Sequence, residues 1–495
     1  MKLKQLLKGI PVQQVRGPQN VDITGVCAHS KRIAPGNLFV AKKGRTVDGV
    51  SFIPEAIASG ATAILTDFFD PTLKSVAQII HSDVSAMEGL LAAQYYQHPS
   101  REMLMVGITG TNGKTTTSYA IKHMLDRIHG PCGLIGTIAY RVGERCHQAE
   151  LTTPDVTANQ KMLREMVRNR CRSAVMEVSS HALDQGRVRM IDFDVAIFTN
   201  LTREHLDYHG TMEKYALAKR ELFRQLNSGS IKEGGHPSIP IVNADDPHHR
   251  DMISACSADA LTFGITQSAD VQASHLELTA HSIRFDVNVR GRGYPVFLPL
   301  IGRFNVYNSL ACIACGVGLG YSVETVLQSI QNFSCVPGRV EPVPNPLNLN
   351  IYVDFAHKPD ALDNVLSCLK TIHSGRLFVV FGCGGDRDRS KRPIMAQICE
   401  LHADFCFVTT DNPRTEDPDK ILREITEGFS NSSKYLVEPD RRQAIEQAIR
   451  QAAPGDLVLI AGRGHESYQI FAHHTVDFDD RRVAGEICQA IKEER

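Results

Sequence analysis

The chain has 495 residues, and its 54 Lys and Arg against 55 Asp and Glu give a net charge of −1. This balance excludes a general nucleic-acid binder, which needs a clear excess of basic residues. Its 13 cysteines are odd in number, so we expect reduced thiols in a cytoplasmic protein. No run of about 18 apolar residues occurs in the sequence, so we expect no membrane insertion.

A single hydrophobic core stops growing at about 250–300 residues, so this length predicts several domains. The sequence divides into three blocks, and the first covers residues 1–98. It has strand-like stretches at 37–44 and 61–67, with a helical stretch at 53–60 between them. The first block is therefore predicted to be a small α/β domain.

The second block, 99–335, opens with an apolar strand, a glycine-rich loop and an amphipathic helix at 103–128. Helical patterns separate several of the strand-like stretches that follow, so we expect a mostly parallel sheet. These stretches lie at 173–180, 194–200, 239–246 and 260–265.

A Pro- and Gly-rich segment, 335–346, is predicted to link the second block to the third, 336–495. In the third block, apolar strands end in polar residues, at 351–357, 377–385, 405–412 and 457–466. Ligands bind beyond the carboxyl ends of the strands in open α/β sheets, so these polar ends predict a binding site.

The glycine-rich loop GITGTNGKTTT, 107–117, resembles a phosphate-binding P-loop. Its glycines let backbone N–H groups surround an anion, Lys114 adds positive charge beside the β- and γ-phosphates of ATP, and Thr115 can ligate Mg²⁺. Ile108 stands where the standard motif has glycine. A glycine-rich turn with a solvated lysine is the alternative, but the flanking strand and helix favour ATP binding.

Two acidic stretches follow apolar strands of the same block. Glu177 comes at the end of one strand, and the loop 200–210 contains His205 with several acids. Mg²⁺ prefers carboxylate and hydroxyl oxygens, so Glu177 together with Thr115 is a reasonable metal site. A solvated surface acid and a core histidine are the alternatives for Glu177 and His205.

The stretch DNPR, Asp411 to Arg414, follows a buried strand in the third block. A guanidinium can donate two parallel hydrogen bonds to a carboxylate, which makes Arg414 a candidate for binding an acid group. Pro413 fixes the local backbone, and Asp411 and Asn412 offer oriented polar groups. The alternative is a turn with a surface arginine.

Together these stretches resemble the Mur ligases, ATP-dependent amide-forming enzymes that build the peptide of bacterial cell-wall precursors. The resemblance covers the chain from about residue 24 to its end and rests on GTNGKTT, MEVSSHALDQGRV, NLTREHLDYHG, YALAKRELF, GRFNVYNSLA, GRVE, DFAHKPDAL and DNPR. It implies an α/β fold of three domains. These would be a UDP-substrate domain at 1–98, a central P-loop ATPase domain with a mostly parallel sheet at 99–335, and a Rossmann-like domain for the incoming amino acid at 336–495.

DNPR is typical of the family members that use diaminopimelate. The resemblance therefore implies that ATP and two Mg²⁺ ions drive the addition of meso-2,6-diaminopimelate to the D-glutamate γ-carboxylate of UDP-N-acetylmuramoyl-L-alanyl-D-glutamate through an acyl phosphate. Such an enzyme serves peptidoglycan precursor synthesis, has small-molecule partners only, and is expected to be a monomer. The alternatives are a lysine-adding or folylpolyglutamate synthase-like ligase, a regulatory P-loop NTPase, and a catalytically inactive binding protein.

The resemblance also implies roles for individual residues. ATP would be bound by Gly110, Thr111, Asn112, Gly113, Lys114, Thr115, Thr116, Asn305, Asn308, Arg339 and Asp354. The UDP-muramoyl-dipeptide would be bound by Ser30, Thr152, Thr153, Ser179, Gln185 and Arg187. Diaminopimelate would be bound by Arg387, Asp411, Asn412, Pro413, Arg414, Gly462 and Glu466. The catalytic residues would be Lys114, Glu177, His205 and Lys219, and the metal ligands Thr115, Glu177, His205 and Lys219 as N6-carboxylysine.

The chain departs from the usual family residues at several of these stretches. The departures are His29 and Lys31 on either side of Ser30, Glu204, Phe355, Lys358 and Arg463.

Overall fold

The structure is a computed structural model, and it describes residues 1–44, 47–226, 232 and 238–494. The chain forms two compact units, which are Met1–Val271 with Ala311–Ser329, and Gln272–Leu310 with Ile330–Arg495. The first unit contains all of the first predicted block and most of the second. No helix in the described part of the chain is both long and apolar enough to cross a membrane.

The N-terminal part of the first unit is a small sheet with helices packed on it. Its strands are β1 (Gln14–Arg16), β2 (Gly25–Cys27), β3 (Asn37–Val40), β4 (Ala63–Thr66) and β5 (Ala77–Ile80), and its helices are α1 (Leu3–Leu6), α2 (Ile53–Ala58) and α3 (Val84–Tyr95). The sheet order is β1-β5-β4-β3-β2, with only β1 antiparallel to its neighbour. The strands and the helix predicted between residues 37 and 67 are confirmed.

The rest of the first unit is built on a second, larger sheet. Its strands are β6 (Leu104–Thr109), β7 (Cys132–Ile135), β8 (Ala139–Val142), β9 (Arg145–Gln148), β10 (Ser173–Glu177), β11 (Val195–Phe198), β12 (Ile239–Asn243) and β13 (Leu261–Gly264). Its helices are α4 (Lys114–Ile128), α5 (Val156–Arg168), α6 (Ser180–Asp184), α7 (Leu206–His209), α8 (Met212–Leu226) and α9 (His249–Ile253). The strands predicted in this region are confirmed.

Strand order determines which loops meet in this sheet. The order is β13-β12-β11-β6-β10-β7-β8-β9, parallel from β13 to β7 and antiparallel beyond it. Strand β6 therefore lies between β10 and β11. The loops after these three strands leave the sheet at the same edge, because the carboxyl ends of parallel strands lie together.

The second unit begins with three consecutive strands, β14 (Val271–Leu278, whose first residue belongs to the first unit), β15 (Ile283–Val289) and β16 (Arg292–Leu298). Helices α10 (Arg303–Gly318) and α11 (Val323–Ile330) contain the junctions between the units. The remaining strands are β17 (Glu341–Pro342), β18 (Asn350–Asp354), β19 (Leu377–Phe381), β20 (Phe405–Val408), β21 (Tyr435–Val437), β22 (Leu457–Ala461), β23 (Tyr468–Ile470) and β24 (Thr475–Asp477). The helices are α12 (Pro359–Ile372), α13 (Lys391–His402), α14 (Pro418–Thr426), α15 (Arg441–Gln451) and α16 (Asp480–Glu494).

The sheet of the second unit has the order β17-β18-β22-β19-β20-β21 and is parallel from β18 to β21. Helices α12, α13 and α14 contribute to the apolar core on one face, and α15 and α16 to the core on the other. Burial on both faces explains why these strands are continuous apolar runs. The segment predicted as a linker, 335–346, instead contains β17, which pairs antiparallel with β18.

Candidate active site

The glycine-rich loop connects β6 to α4 in the first unit. Gly110 and Gly113 have positive φ angles of 146° and 87°, and a Cβ on Gly110 would lie 1.9 Å from Thr199 Oγ1. The Asn112 N–H donates to the side-chain oxygen of Asn200 at 2.9 Å. Lys114 Nζ donates to the carbonyl of Gly110 at 2.8 Å, so its ammonium group lies at the loop. An anion bound at the loop could replace the Gly110 carbonyl as the hydrogen-bond partner of the Lys114 ammonium group.

Glu177 ends β10 beside this loop, and its side chain is fully buried. Thr115 Oγ1 donates to Oε2 at 2.9 Å, and Ser118 Oγ to Oε1 at 3.5 Å. Thr137, which follows β7, donates its N–H to Oε1 at 3.0 Å and its hydroxyl to Oε2 at 2.8 Å. Gly136 leaves room for the carboxylate, because a Cβ there would lie 2.3 Å from Oε1. The predicted pairing of Glu177 with Thr115 is therefore present in the structure.

His205 and Lys219 both lie close to the buried ring of Tyr215. Lys219 Nζ is 4.5 Å from the ring centroid, and the imidazole centroid of His205 is 6.0 Å from it. The Tyr215 hydroxyl is 3.1 Å from Thr111 Oγ1 in the glycine-rich loop. Tyr215 therefore connects both predicted metal ligands to the loop.

Burial changes the titration of both side chains. The pKa of His205 is lowered to about 4, first by burial and then by repulsion from His181. Lys219 is only 1% exposed, and burial followed by repulsion from Lys114 holds its pKa well below the usual value. Both groups are therefore favoured in their neutral forms, which are the forms that bind a metal or react as a nucleophile.

The residues predicted to bind the muramoyl-dipeptide are mostly connected to Glu177. Thr152 Oγ1 is 3.1 Å from the hydroxyl of Thr137, and Thr153 Oγ1 donates to the backbone carbonyl of Glu177 at 2.8 Å. Arg187 Nη1 donates to the carbonyl of Thr153 at 3.0 Å. The network extends to Ser179, whose N–H donates to Thr153 Oγ1. It also includes Gln185, whose Oε1 accepts from Arg187 Nη2.

Ser30 begins a short 3-10 helix after β2, and its side chain is buried. Its neighbours His29 and Arg32 line a cleft of about 1240 Å³, which Asp155 of the stretch TTPD, Thr152 to Asp155, also lines. Arg32 Nη2 forms an ion pair with Glu150 Oε2 at 2.7 Å. The Ser30 and TTPD stretches therefore meet at one cleft, although Ser30 itself does not line it.

In the second unit, Asp354 ends β18 and is buried. Its carboxylate accepts hydrogen bonds from the backbone N–H groups of Val340 at 2.8 Å and Ala356 at 2.7 Å. Burial raises its pKa, and the Arg339 guanidinium opposes this shift. Asn305 and Asn308 form a separate buried pair on α10, with Asn308 Nδ2 donating to Asn305 Oδ1 at 2.9 Å.

The residues predicted to bind diaminopimelate lie together in the second unit. Asn412 Nδ2 donates to Glu466 Oε2 at 2.8 Å. Burial raises the pKa of Glu466, and repulsion from Asp411 adds to the shift. Arg414 Nη1 donates to the carbonyl of Gly385 at 2.7 Å. A Cβ added to Gly384 would lie 2.9 Å from Arg414 Nη1 and 3.9 Å from Arg387 Cγ, so both arginine side chains lie beside Gly384. A Cβ added to Gly462 would lie 2.8 Å from Asp411 Oδ2. Pro413 is buried beside Asn412 in the same loop, with its carbonyl oxygen against Gly385.

Family models match three consecutive parts of the chain. They are described as the catalytic domain of the Mur ligase family, the Mur ligase middle domain, and the glutamate ligase domain of Mur ligases, at residues 22–105, 108–316 and 338–464. The chain is also 42% identical over 496 residues to the UDP-N-acetylmuramoyl-L-alanyl-D-glutamate–2,6-diaminopimelate ligase of Geobacillus thermodenitrificans strain NG80-2, with 100% of both chains covered. This chain belongs to the Mur ligase family.

Two further comparisons place this Mur ligase within the family. It is 42% identical over 497 residues to a ligase of the same name from Chlamydia trachomatis serovar D, with 99% of each chain covered. A solved structure of a UDP-N-acetylmuramoyl-L-alanyl-D-glutamate–2,6-diaminopimelate ligase matches with a TM-score of 0.72 and 31% identity, again over 99% of each chain.

Mur ligases are ATP-dependent and use Mg²⁺, and the residues around Glu177 fit that ion. A carboxylate and threonine hydroxyls form an all-oxygen donor set, which Mg²⁺ prefers. The described residues contain no cluster of three or more His, Cys, Asp or Glu that could hold a metal alone. Phosphate oxygens and water would therefore complete the coordination, as is usual for Mg²⁺ bound with a nucleotide.

Sequence reasoning missed several residues of this Mur ligase site. Thr137 follows β7 and Asn200 follows β11, so a polar residue after an apolar strand was the available signal for both. Tyr215 precedes Lys219 by one helical turn, which is an ordinary core spacing and gives no functional signal.

Replacing Gly136 by alanine should displace the Glu177 carboxylate, because the added Cβ would overlap Oε1. Displacements of about 1 Å at an active site can cost about 100-fold in rate. We expect kcat/KM for phosphate release in the presence of all substrates to fall by about that factor. Gly293→Ala is the matched control, since its Cβ would meet no atom within 4 Å. Full activity of Gly136→Ala would contradict the role given to Glu177.

Proposed function

We propose that this Mur ligase adds meso-2,6-diaminopimelate to the D-glutamate γ-carboxylate of UDP-N-acetylmuramoyl-L-alanyl-D-glutamate. The observation that carries the proposal is the loop group in the second unit, where Arg414, Arg387 and Glu466 lie together. Two cations and an acid suit the far end of diaminopimelate, which carries a carboxylate and an ammonium group. The names of the relatives at 42% identity support the same substrate.

The proposed reaction has two steps, and no protein nucleophile is required. The γ-carboxylate attacks the γ-phosphate of ATP, the bond to the β-phosphate breaks, and ADP leaves as an acyl phosphate forms, while Lys114 offsets the charge on the transferring group. The amine of diaminopimelate then attacks the acyl carbon, and phosphate leaves. Mg²⁺, when bound, neutralises the phosphate oxygens. The protein contributes mainly by positioning substrates and by fixed charges and dipoles.

The networks around Glu177 support the roles proposed for the first unit. Thr153, bonded to the backbone of Glu177, and Arg187, bonded to the carbonyl of Thr153, would hold the dipeptide end of the acceptor near the glycine-rich loop. The cleft beside His29 and Arg32 would take the nucleotide end, with Ser30 buried behind it. Asn305, Asn308, Arg339 and Asp354 are proposed to bind the nucleoside part of ATP.

The chemistry of the second unit supports diaminopimelate over lysine. Lysine lacks the second carboxylate, so it would leave Arg414 without that partner. A site built to bond a polar group rejects a substrate that lacks it, often by factors of about 10⁴. Glu466 would accept the far ammonium group, and Asn412 already orients it.

Lys219 is proposed to carry a carbamate that serves as a ligand for a second Mg²⁺. A carbamate forms when a neutral amine adds to CO₂ and releases a proton, and burial of Lys219 holds its pKa well below the usual value, which favours the neutral amine. The product is anionic, and a bound metal can neutralise its charge in the buried site.

The domain boundaries predicted from the sequence, 1–98, 99–335 and 336–495, also remain proposals. We propose a monomer in the cytoplasm, where ATP is available and the free cysteines would stay reduced.

The proposed ligation predicts that phosphate release requires both acceptor and amino acid. With ATP and Mg²⁺, the rate should rise by at least about 100-fold only when UDP-muramoyl-dipeptide and meso-diaminopimelate are both present, as a coupled phosphate assay would measure. L-lysine in place of diaminopimelate tests the alternative within the family. Release that is independent of both substrates would indicate a regulatory NTPase instead.

Arg414→Ala should raise the KM for meso-diaminopimelate and reduce the preference for it over lysine. Losing a charge-assisted bidentate contact costs about 1.5–3 kcal/mol or more, which is about 10- to 100-fold or more in binding. Steady-state kinetics with each amino acid would measure this, and Arg423→Ala, which removes an exposed arginine on α14, is the control. An unchanged preference would show that another group reads the second carboxylate.

Incubation with ¹³C-bicarbonate should produce a carbamate resonance in the ¹³C NMR spectrum of the wild-type protein. Lys219→Arg should lack the signal and lose most of its ligase activity, because a guanidinium cannot form the carbamate at neutral pH. The exposed Lys214 on the same helix provides the control, as Lys214→Arg should keep both the signal and the activity. A wild-type spectrum without this resonance, under conditions where the enzyme is active, would contradict the carbamate.

A further inference from the structure

A β-hairpin, Tyr468–Asp477, lies against the loop Asp411–Arg414 in the second unit. Strands β23 and β24 form the hairpin. The N–H of Ile470 donates to Asn412 Oδ1 at 2.9 Å, and the carbonyl of Ile470 accepts from the N–H of Arg414 at 3.0 Å. One residue of the hairpin therefore bonds two residues of the loop.

Gln469 adds a side-chain contact to the same loop. Its side chain is buried, and Nε2 donates to the carbonyl of Asp411 at 2.8 Å and to that of Thr410 at 3.2 Å. Both carbonyls precede Asn412 in the chain. The hairpin therefore bonds the loop along its length, from the end of the preceding strand to Arg414.

The loop needs such support because Arg414 is strained. Its φ is 52°, in the left-handed region that non-glycine residues adopt rarely and at a cost. Such conformations persist only where surrounding contacts determine them. Here the contacts are the Arg414 N–H bond to Ile470, a parallel bridge to Phe471, and the Nη1 bond to Gly385.

The hairpin is itself fixed at its open end. Arg463, fully buried, donates through Nη2 to the carbonyls of Tyr468 and Phe478, the latter at 3.1 Å. The Phe478 N–H also donates to the carbonyl of Ser467 at 2.9 Å. A fixed hairpin can hold the loop in a single conformation.

We propose that Gln469 is a positioning residue for the amino-acid substrate, acting through the loop to keep the Arg414 guanidinium in its binding orientation. This inference rests on the proposed function and deepens it. Gln469 does not contact the substrate. It determines specificity because the discrimination between a diamino diacid and lysine depends on where Arg414 places its donors.

The test compares Gln469→Ala with wild type in ligation kinetics. We expect the KM for meso-diaminopimelate to rise by about 10- to 100-fold and the preference over lysine to fall by a similar factor. The KM values for ATP and UDP-muramoyl-dipeptide should stay within about twofold. Gln489→Ala, at an exposed glutamine on α16 whose side chain bonds Glu493, is the matched control and should behave as wild type.

A double-mutant cycle shows whether Gln469 acts through Arg414. In an Arg414→Ala background, Gln469→Ala should change the preference for diaminopimelate over lysine by less than about twofold, because the guanidinium that Gln469 positions is absent. Additive effects, or equal changes in the KM of all three substrates, would overturn the proposal. Gln469→Glu keeps the volume and serves as the second variant if the alanine protein does not fold.

Hydrogen exchange followed by mass spectrometry tests the contact without any substrate. The peptide that contains Arg414 should exchange faster in Gln469→Ala than in wild type, while peptides from β18 and β22 should not change. Unchanged exchange at Arg414 would overturn the positioning role. Wild-type protein that does not prefer diaminopimelate would instead overturn the proposed function, so the two failures can be told apart.

Discussion

The buried carboxylate of Glu177 is the constraint on which the first unit depends. A carboxylate removed from water needs hydrogen-bond donors, because leaving it without them costs several kcal/mol. Here Thr115 and Ser118 of α4 and Thr137 after β7 supply them. The carboxylate that is proposed to ligate the metal therefore also joins the helix after the glycine-rich loop to two neighbouring strands. The proposed catalytic role and the stability of the fold would place the same demand on these side chains.

A different constraint applies to the charged side chains in the loops of the second unit. The substrate proposed for the second unit carries charges at its far end, so the loops would have to present guanidinium and carboxylate groups at fixed positions without neutralising them against each other. The side chain of Asn412 contacts both a charged group and the hairpin. Its amide nitrogen donates to Glu466, and its amide oxygen accepts from the N–H of Ile470. Neutral amides hold the charged groups in place, and the charges remain available for a ligand.

Most of the buried parallel strands and the polar residues at their ends were predicted from the sequence. Strands β6, β10 and β11 were recognised because continuous apolar runs mark buried parallel strands, and the polar residues that follow them, such as Lys114, Glu177 and His205, lie where expected. Adjacency across the sheet was not predictable, because it depends on pairing between distant segments. Thr137 is the clearest example, since it meets Glu177 only because β7 pairs with β10.

Short strands with mixed patterns were also missed. The hairpin of β23 and β24 contains partly exposed polar residues and no strong turn signal, so periodicity could not identify it. For a related reason, no strand was predicted in the linker segment 335–346. Its prolines and glycine suggested an extended segment, but Val336, Val340 and Val343 are buried, and β17 pairs with β18 at the edge of a sheet, where proline is tolerated.

Two of the departures from the usual family residues, Phe355 and Arg463, are explained by what each side chain contacts here. Phe355, where tyrosine is usual, packs its ring 5.1 Å from the Arg339 guanidinium and 5.1 Å from the ring of His465, and both contacts use the ring face rather than a hydroxyl. Arg463, where lysine is usual, bonds the carbonyls of Tyr468 and Phe478 at the open end of the hairpin, and its planar group holds these two acceptors more rigidly than a single ammonium could. Phe355 and Arg463 therefore each hold neighbouring segments of the second unit together, through a ring contact in one case and a guanidinium in the other.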